Sequence, residues 1–507
     1  MAYFCDNWLI ILISMGGETI AEDEKIPLLP RVKVSQDEQE HRLDRSLSTL
    51  NGVSIMLGIL IGSGVFISPG LVVKRTPNLF MALLVWIICG LVIIALMSVA
   101  IELGSLFPRP GSLYVYIQKT LGRIPAFMFL WSYSTIIAPS GISVLLDTLG
   151  RYATQPFLPA TDSIWISKTI GALVCVILCI TNSFGIKFIA KLQYVFTGIQ
   201  ILIILLVVAM GIWQVSLTGN FSNFEPGYFF NNTEQILNPA NLGEIGKAMY
   251  NALWAYDGWI LISSLTEEFI NPERSLPIVA FTSSIFTLLV YIVLNMAYFA
   301  VLTREQMGAT NAIGIALVEK VAGKKVALIM PILVASSILG CVNAVIIGLS
   351  RTYLSAARDG SMPAMFTLIH REHKSPVPII WYMCFSTLLW LFAVKTTEDL
   401  IQYFNSGYWV FYGMAMLGCL VYKFTAKDVH RPYKTFVITP ALLSILALAI
   451  VISGLIGQPL GTAMCWLWIL SSLIVYYVFI HKQFLLCKCL EKIYDFLQRR
   501  CNMVPCQ

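Results

Sequence analysis

Two stretches decide how this chain is read: Ile59-Leu60-Ile61-Gly62-Ser63-Gly64-Val65-Phe66 and Trp254-Ala255-Tyr256-Asp257-Gly258-Trp259. Each lies in the middle of an apolar run long enough to cross a bilayer, and each interrupts that run with small or polar residues where a plain helix would keep winding. Unwound backbone is tolerated at membrane depth only where it lines a cavity or is buried in protein. A matched pair of such interruptions, in corresponding halves of one chain, is the sequence pattern of a solute site at the centre of an inverted repeat.

The rest of the chain agrees with a polytopic membrane protein. Charged residues are 12% of the 507 and apolar residues 57%, with a mean hydropathy of +0.76, against about 25% charged in an ordinary soluble protein. At roughly 20 apolar residues per spanning helix, twelve spans are expected near 49–73, 79–103, 122–150, 165–185, 190–216, 244–267, 275–302, 326–356, 376–394, 398–423, 435–456 and 461–480. This divides the chain into an amino-terminal cytoplasmic tail (1–45), a twelve-helix domain (46–482) and a carboxy-terminal cytoplasmic tail (483–507). Residues 18–45 are polar and acidic and are expected to be disordered. The short run Trp8–Met15 lacks a basic flank and fits a cleavable signal poorly.

Orientation follows from the bias of Lys and Arg toward cytoplasmic loops. With both tails inside, 24 of the 34 basic residues fall on the cytoplasmic side, although Arg304, Lys320, Lys324 and Lys325 crowd one outer loop. The only two N-x-Ser/Thr sequons, at Asn220 and Asn231, fall in the outer loop between spans five and six and are glycosylation candidates. The net charge of +6 is spread over many loops and is a topology signal, so no nucleic-acid partner is implied. Seven of twelve cysteines lie in spans (Cys89, Cys175, Cys179, Cys341, Cys384, Cys419, Cys465) and five in the tails, an arrangement that argues against a disulfide framework. Cys487 and Cys489, just past the last span, are either palmitoylation sites or unmodified thiols.

Candidate chemistry concentrates at the two breaks. Opening the helix at Gly62-Ser63-Gly64 leaves N–H groups of the following half-helix unpaired, an anion seat strengthened by the helix dipole and suited to a small carboxylate. Small residues also serve close helix packing, and the second break is what favours the seat. Asp257 is an ionisable residue at mid-membrane depth, where a charge costs at least about 2.5–3.5 kcal/mol; it faces a substrate ammonium or cationic side chain, or it only stabilises the kink. Trp254, Tyr256 and Trp259 are candidate gate aromatics, with core packing the better reading for Tyr256. Asp147 and Arg151 have the i,i+4 spacing of a structural ion pair. Ser336, Ser337 and Asn343 either face a cavity or bond between helices. All five histidines lie in tails or loops and no nucleophile elbow or phosphate loop occurs, so neither an enzyme nor a metal or organic cofactor is expected. A channel would repeat a short pore unit around an axis, which this chain does not.

With those residues in place, the sequence resembles the light-subunit, L-type branch of the amino acid, polyamine and organocation superfamily. The resemblance runs from about 46 to 482 and rests on Gly62 to Pro69, Glu102-Leu103-Gly104 with Pro110-Gly111-Ser112 and Tyr116, Trp254 to Trp259 with Thr266-Glu267-Glu268 and Asn271-Pro272-Glu273, Ser350-Arg351 with Ala357-Arg358-Asp359-Gly360 and Pro363, and His430-Arg431-Pro432. It implies an all-α fold of two inverted five-helix repeats plus two carboxy-terminal helices, and sodium-independent exchange of L-amino acids across the plasma membrane by alternating access. It also implies a substrate site at Leu60, Ile61, Gly62, Ser63, Gly64, Trp254, Ala255, Asp257 and Ser337, with Trp254 as gate. The Trp-Ala-Tyr-Asp-Gly-Trp string is most similar to the branch that exchanges dibasic for neutral amino acids. Two departures qualify the match. The loop 151–165 lacks the cysteine by which relatives hold a glycoprotein heavy chain, which argues against a disulfide-linked partner and leaves a non-covalent one open. Gln200 stands where the branch often has a lysine, so Gln200 is the candidate coupling position. Uniport, proton symport and a non-transporting sensor are the competing readings.

Overall fold

The computed structural model describes residues 45–62, 64–154, 164–219, 221–235, 239–310, 313–394, 397–457, 459–481 and 487–506. Residues 1–44 of the expected tail 1–45, Ser63, Asn220 and residues 155–163 of the loop 151–165 lie outside the described residues.

Apolar sequence becomes helix here because a bilayer offers backbone no other way to satisfy its N–H and C=O groups. Among the described residues the helices run as twelve passages. The first is the pair Thr49–Leu60 and Gly64–Arg75, bent by 41°, and it starts at a reciprocal cap between Ser48 and Asn51. Passages two to five are Leu79–Leu106, Arg123–Thr154, Ile164–Asn182 and Ile186–Thr218. The sixth is again a pair, the α-helix Pro239–Ala255 and the 3-10 helix Trp259–Glu268. Pro272–Val301, Met330–Arg358, Val377–Ala393, Thr397–Thr425, Ile438–Gly457 and Pro459–Val475 complete the set.

The repeat is visible in the helices between passages. A short helix, Leu113–Leu121, joins passages two and three, and the helices Arg304–Ala309 and Ile313–Ala322 occupy the same place between seven and eight. Each half thus opens on a broken helix and carries helical insertions after its second passage. Five is odd, so the second half enters from the opposite side.

One face is tied shut by buried charge. Glu102, at the end of passage two, accepts from Lys423 Nζ at 2.6 and 2.7 Å, from Arg431 Nη1 at 2.9 Å and from the Thr435 backbone at 2.9 Å. Arg351 of passage eight meets Glu268 at 2.7 Å with both side chains 1% exposed, and Arg358 meets Glu267 at 2.7 Å. The backbone entering passage one joins in, since Ser46 and Leu47 donate their N–H groups to the Glu268 carbonyl. The carboxy-terminal segment docks on the same face: helix Cys487–Arg500 leads to strand Met503–Pro505, which pairs antiparallel with Leu368–His370. Cys506 then accepts from Arg358 Nη2 at 2.8 Å. The carboxy-terminal tail expected over 483–507 is therefore folded where it is described, from 487 to 506.

Candidate functional site

The two breaks touch. Gly258 caps the start of the 3-10 half of passage six, three residues past the end of the α-helical half, with φ +89°, a conformation that favours glycine. A Cβ there would stand 2.3 Å from Ile59 Cγ2. A Cβ on Gly64 would stand 2.5 Å from the Ala255 Cα, and one on Gly62 would meet Cys341 Sγ at 2.7 Å. These glycines are required by close approach, and the approach is what brings the two interruptions into one site.

Backbone at the breaks is held by side chains from other passages. The Tyr291 hydroxyl, fully buried on passage seven, reaches the Leu60 carbonyl at 2.5 Å and the Ala255 carbonyl at 2.8 Å. A phenol has one proton, so these two carbonyls share a single donor. Ser337 Oγ donates to the Ile61 carbonyl at 3.3 Å, and the Cys341 thiol lies 3.4 Å from the Ile59 carbonyl. Gln200 donates its amide to the Ser337 carbonyl at 2.9 Å and the Gly58 carbonyl at 3.3 Å, bridging passages eight and one.

Between the breaks lies a cavity of about 70 Å³. One water needs ~10–15 Å³ of such space, so the space is that of a small solute. Gly62, Gly64, Trp254, Ala255 and Asp257 line it, and Tyr133, Cys341, Phe404 and Tyr408 complete the wall. The first turn after the break, from Gly64, has N–H groups with no intrahelical carbonyl. Among the described residues Asp257 is the only charged one lining the cavity, and its Oδ1 accepts from the Tyr412 hydroxyl at 2.7 Å. Trp254 packs edge-on against Phe404, ring centroids 4.8 Å apart.

Several residues singled out by sequence sit elsewhere. Leu60, Ile61 and Ser337 stand one layer behind the cavity wall, where they shape the break. Tyr256 is buried against Trp86 and Tyr291 and donates to the Trp86 carbonyl at 3.2 Å. Trp259 stacks on Tyr412, ring centroids 5.1 Å apart, rather than over the cavity. Ser336 turns outward and bonds its own helix, while Asn343 ties Asn182 to Gln193 across passages four, eight and five at 2.9 and 2.8 Å. Asp147 and Arg151 form the ion pair at 2.8 Å. Asn231 is exposed on the loop between passages five and six.

Sequence reading missed Tyr291 and the aromatic wall. Phe404, Tyr408 and Tyr412 recur every four residues, one face of a helix, and the hydroxyls in an apolar run were the available signal. Nothing in the sequence distinguishes Tyr291 from the other tyrosines in spans, because its role depends on which backbone it reaches.

The comparisons with known proteins fit this geometry. The sequence profile of the amino acid permease family matches residues 47–480. The chain is 29% identical over 453 residues to the b(0,+)-type amino acid transporter 1 of Homo sapiens, covering 89% of this chain and 91% of that protein. It is 29% identical over 475 residues to the cystine/glutamate transporter of Homo sapiens, covering 93% and 92%. It is likewise 29% identical over 442 residues to the large neutral amino acids transporter small subunit 2 of Mus musculus, covering 87% and 82%. Twelve helical passages, two mutually packed breaks and a solute-sized cavity between them are thus joined by a profile match over nearly the whole membrane domain: the chain belongs to the amino acid permease family.

Proposed function

We propose that this permease exchanges neutral and basic L-amino acids across the plasma membrane, without sodium, by alternating access. The observation that carries the substrate class is the charge of the cavity wall, which among the described residues has one carboxylate, Asp257, and no Lys, Arg or His. An acidic side chain entering such a site would meet like charge without a counter-ion, at a cost that rises as water is excluded. The site therefore suits neutral and cationic side chains better than the anionic substrate named for the cystine/glutamate relative.

The roles follow from position. The substrate carboxylate takes the N–H groups at Gly62, Ser63 and Gly64. Its ammonium takes the carbonyls at Trp254 and Ala255, the second of which shares one tyrosine donor with the Leu60 carbonyl behind the wall and so retains acceptor capacity. Asp257 holds a cationic side chain and Trp254, packed on Phe404, covers the site. Gln200 replaces a titratable lysine with an amide, so it couples passages one and eight without carrying a proton. Any heavy-chain partner is held non-covalently, since the loop 151–165 has no cysteine. Both tails are cytoplasmic, and Asn220 and Asn231 are the glycosylation candidates.

The test is flux in proteoliposomes. External unlabelled amino acid should accelerate efflux of labelled leucine, equally in sodium and choline buffers. Efflux that ignores the external amino acid would reduce the protein to a uniporter, and saturable binding without flux would make it a sensor. Asp257→Asn should abolish lysine or arginine exchange while sparing most leucine exchange. Equal loss of both would assign the acid to the kink or the ammonium.

A further inference from the structure

We propose that Cys175, Cys179 and Cys384 form a soft-metal site, selective for Cu(I), in the half of the membrane nearer the tail-bearing face. Cys175 and Cys179 are one turn apart on passage four, so both thiols leave the same side of that helix. Cys384 comes from passage nine, which packs against it. The three sulfurs lie within 4.8 Å of one another, and the Cys175 to Cys384 separation is 3.9 Å. A metal–sulfur bond of about 2.3 Å puts the sulfurs of a trigonal site ~4.0 Å apart and those of a tetrahedral site ~3.8 Å apart. The thiols therefore already stand near the spacing that an ion would impose.

The donor set selects the ion. All three residues are buried, at 1%, 0% and 4% exposure. No further cysteine, histidine, aspartate or glutamate joins them among the described residues. Zinc takes four ligands in a structural site, whereas an all-sulfur, low-coordinate set favours Cu(I). Binding replaces each participating S–H by S–Cu and releases one proton for every thiolate formed, so retention strengthens as pH rises. Cys175 and Cys384 each lie two turns from their helix ends on the tail-bearing face, and Cys179 only one, which sets the route of entry. None of the residues lining the substrate cavity belongs to the site.

The experiment is anaerobic titration of the purified full-length chain in nanodiscs with Cu(I), against a coloured Cu(I) chelator. Wild-type protein should retain one Cu(I) that Cys175→Ser and Cys384→Ser release, each with at least a ~100-fold loss of affinity, since even outer-shell partners are worth 10–100-fold. Cys89→Ser, which removes a buried thiol elsewhere, should bind as wild type, and leucine exchange by each variant checks its fold. Bound Cu(I) should also protect these three thiols from alkylation, read by peptide mass spectrometry on the wild-type chain, so a misfolded variant does not blunt the test. Copper retained equally by Cys175→Ser and Cys384→Ser, or wild-type protection confined to the tail cysteines, would overturn the site.

Discussion

Replacing Tyr291 by Phe removes one oxygen and leaves shape and volume in place, so it isolates what the shared hydroxyl does at the two breaks. Tyr291 Oη reaches the Leu60 and Ala255 carbonyls at 2.5 and 2.8 Å. A buried acceptor stripped of its partner costs about 1–3 kcal/mol. The single proton serves both carbonyls, so the loss counts once rather than twice. No cavity term is added, because the ring remains. If the hydroxyl holds the two half-helices in the arrangement that accepts substrate, about 1–3 kcal/mol corresponds to roughly a 5- to 150-fold rise in the apparent KM. The matched control is Tyr256→Phe. Tyr256 is buried too, and its ring packs at a tilt against Tyr291 with centroids 4.7 Å apart, but its hydroxyl bonds the Trp86 carbonyl away from the breaks. Leucine exchange in proteoliposomes, measured across substrate concentration and normalised to folded protein, should show the KM rise for Tyr291→Phe only. Thermal unfolding in detergent should show a loss for both. An unchanged KM for Tyr291→Phe, or an equal rise for Tyr256→Phe, would refute a role specific to the breaks.

Four further outcomes are expected. Gly64→Ala should nearly abolish exchange in protein that still inserts, because its Cβ would stand 2.5 Å from the Ala255 Cα and overpacking against backbone costs about 1–3 kcal/mol; near-normal flux would separate the two breaks. Glu102→Gln should destabilise by about 3–5 kcal/mol, since it strands Lys423 and Arg431, whose side chains are 3% and 6% exposed; Glu102→Gln with Lys423→Met should recover part of that loss in a thermal unfolding series. Gln200→Leu should impair exchange by freeing the Gly58 and Ser337 carbonyls, and its flux should stay as indifferent to a pH gradient as the wild type; a new pH dependence would contradict the coupling role. Cys506 should react slowly with maleimide, because burial pushes its thiol up and Arg358 only partly opposes that. Arg358→Ala should undock the segment and speed the reaction several-fold, read by peptide mass spectrometry.

The reversal in direction between the two halves, the position of both breaks and the presence of an acid at the second were legible in the linear sequence. Each depends on local composition: apolar runs must wind in lipid, and glycines or a buried aspartate interrupt them for a reason. Within the site the legibility was uneven. Gly62, Gly64, Trp254, Ala255 and Asp257 announce themselves by residue type against an apolar background, and the structure places them all on the cavity. Ser337 was noticed as a polar residue in a span and Gln200 because the resembling branch often has a lysine there, but the carbonyls they hold belong to other helices. Trp259 and Trp254 look alike in sequence, yet one stacks on Tyr412 within the protein and the other meets Phe404 at the cavity. Ser336 and Ser337 are neighbours separated by about 100° of helix, which sends one outward and the other to the Ile61 carbonyl.

Sequence alone determined that this chain crosses the membrane many times, that two crossings are broken and that the breaks pair across an internal repeat. Those conclusions rest on hydropathy and backbone satisfaction, which are properties of segments. The tertiary structure decided that the breaks touch, that one tyrosine proton serves both, that the cavity wall carries an acid and, among the described residues, no base, and that the carboxy-terminal strand pairs with Leu368–His370. These are long-range contacts between passages far apart in sequence, set by how side chains pack once the helices have met, and no local pattern encodes them.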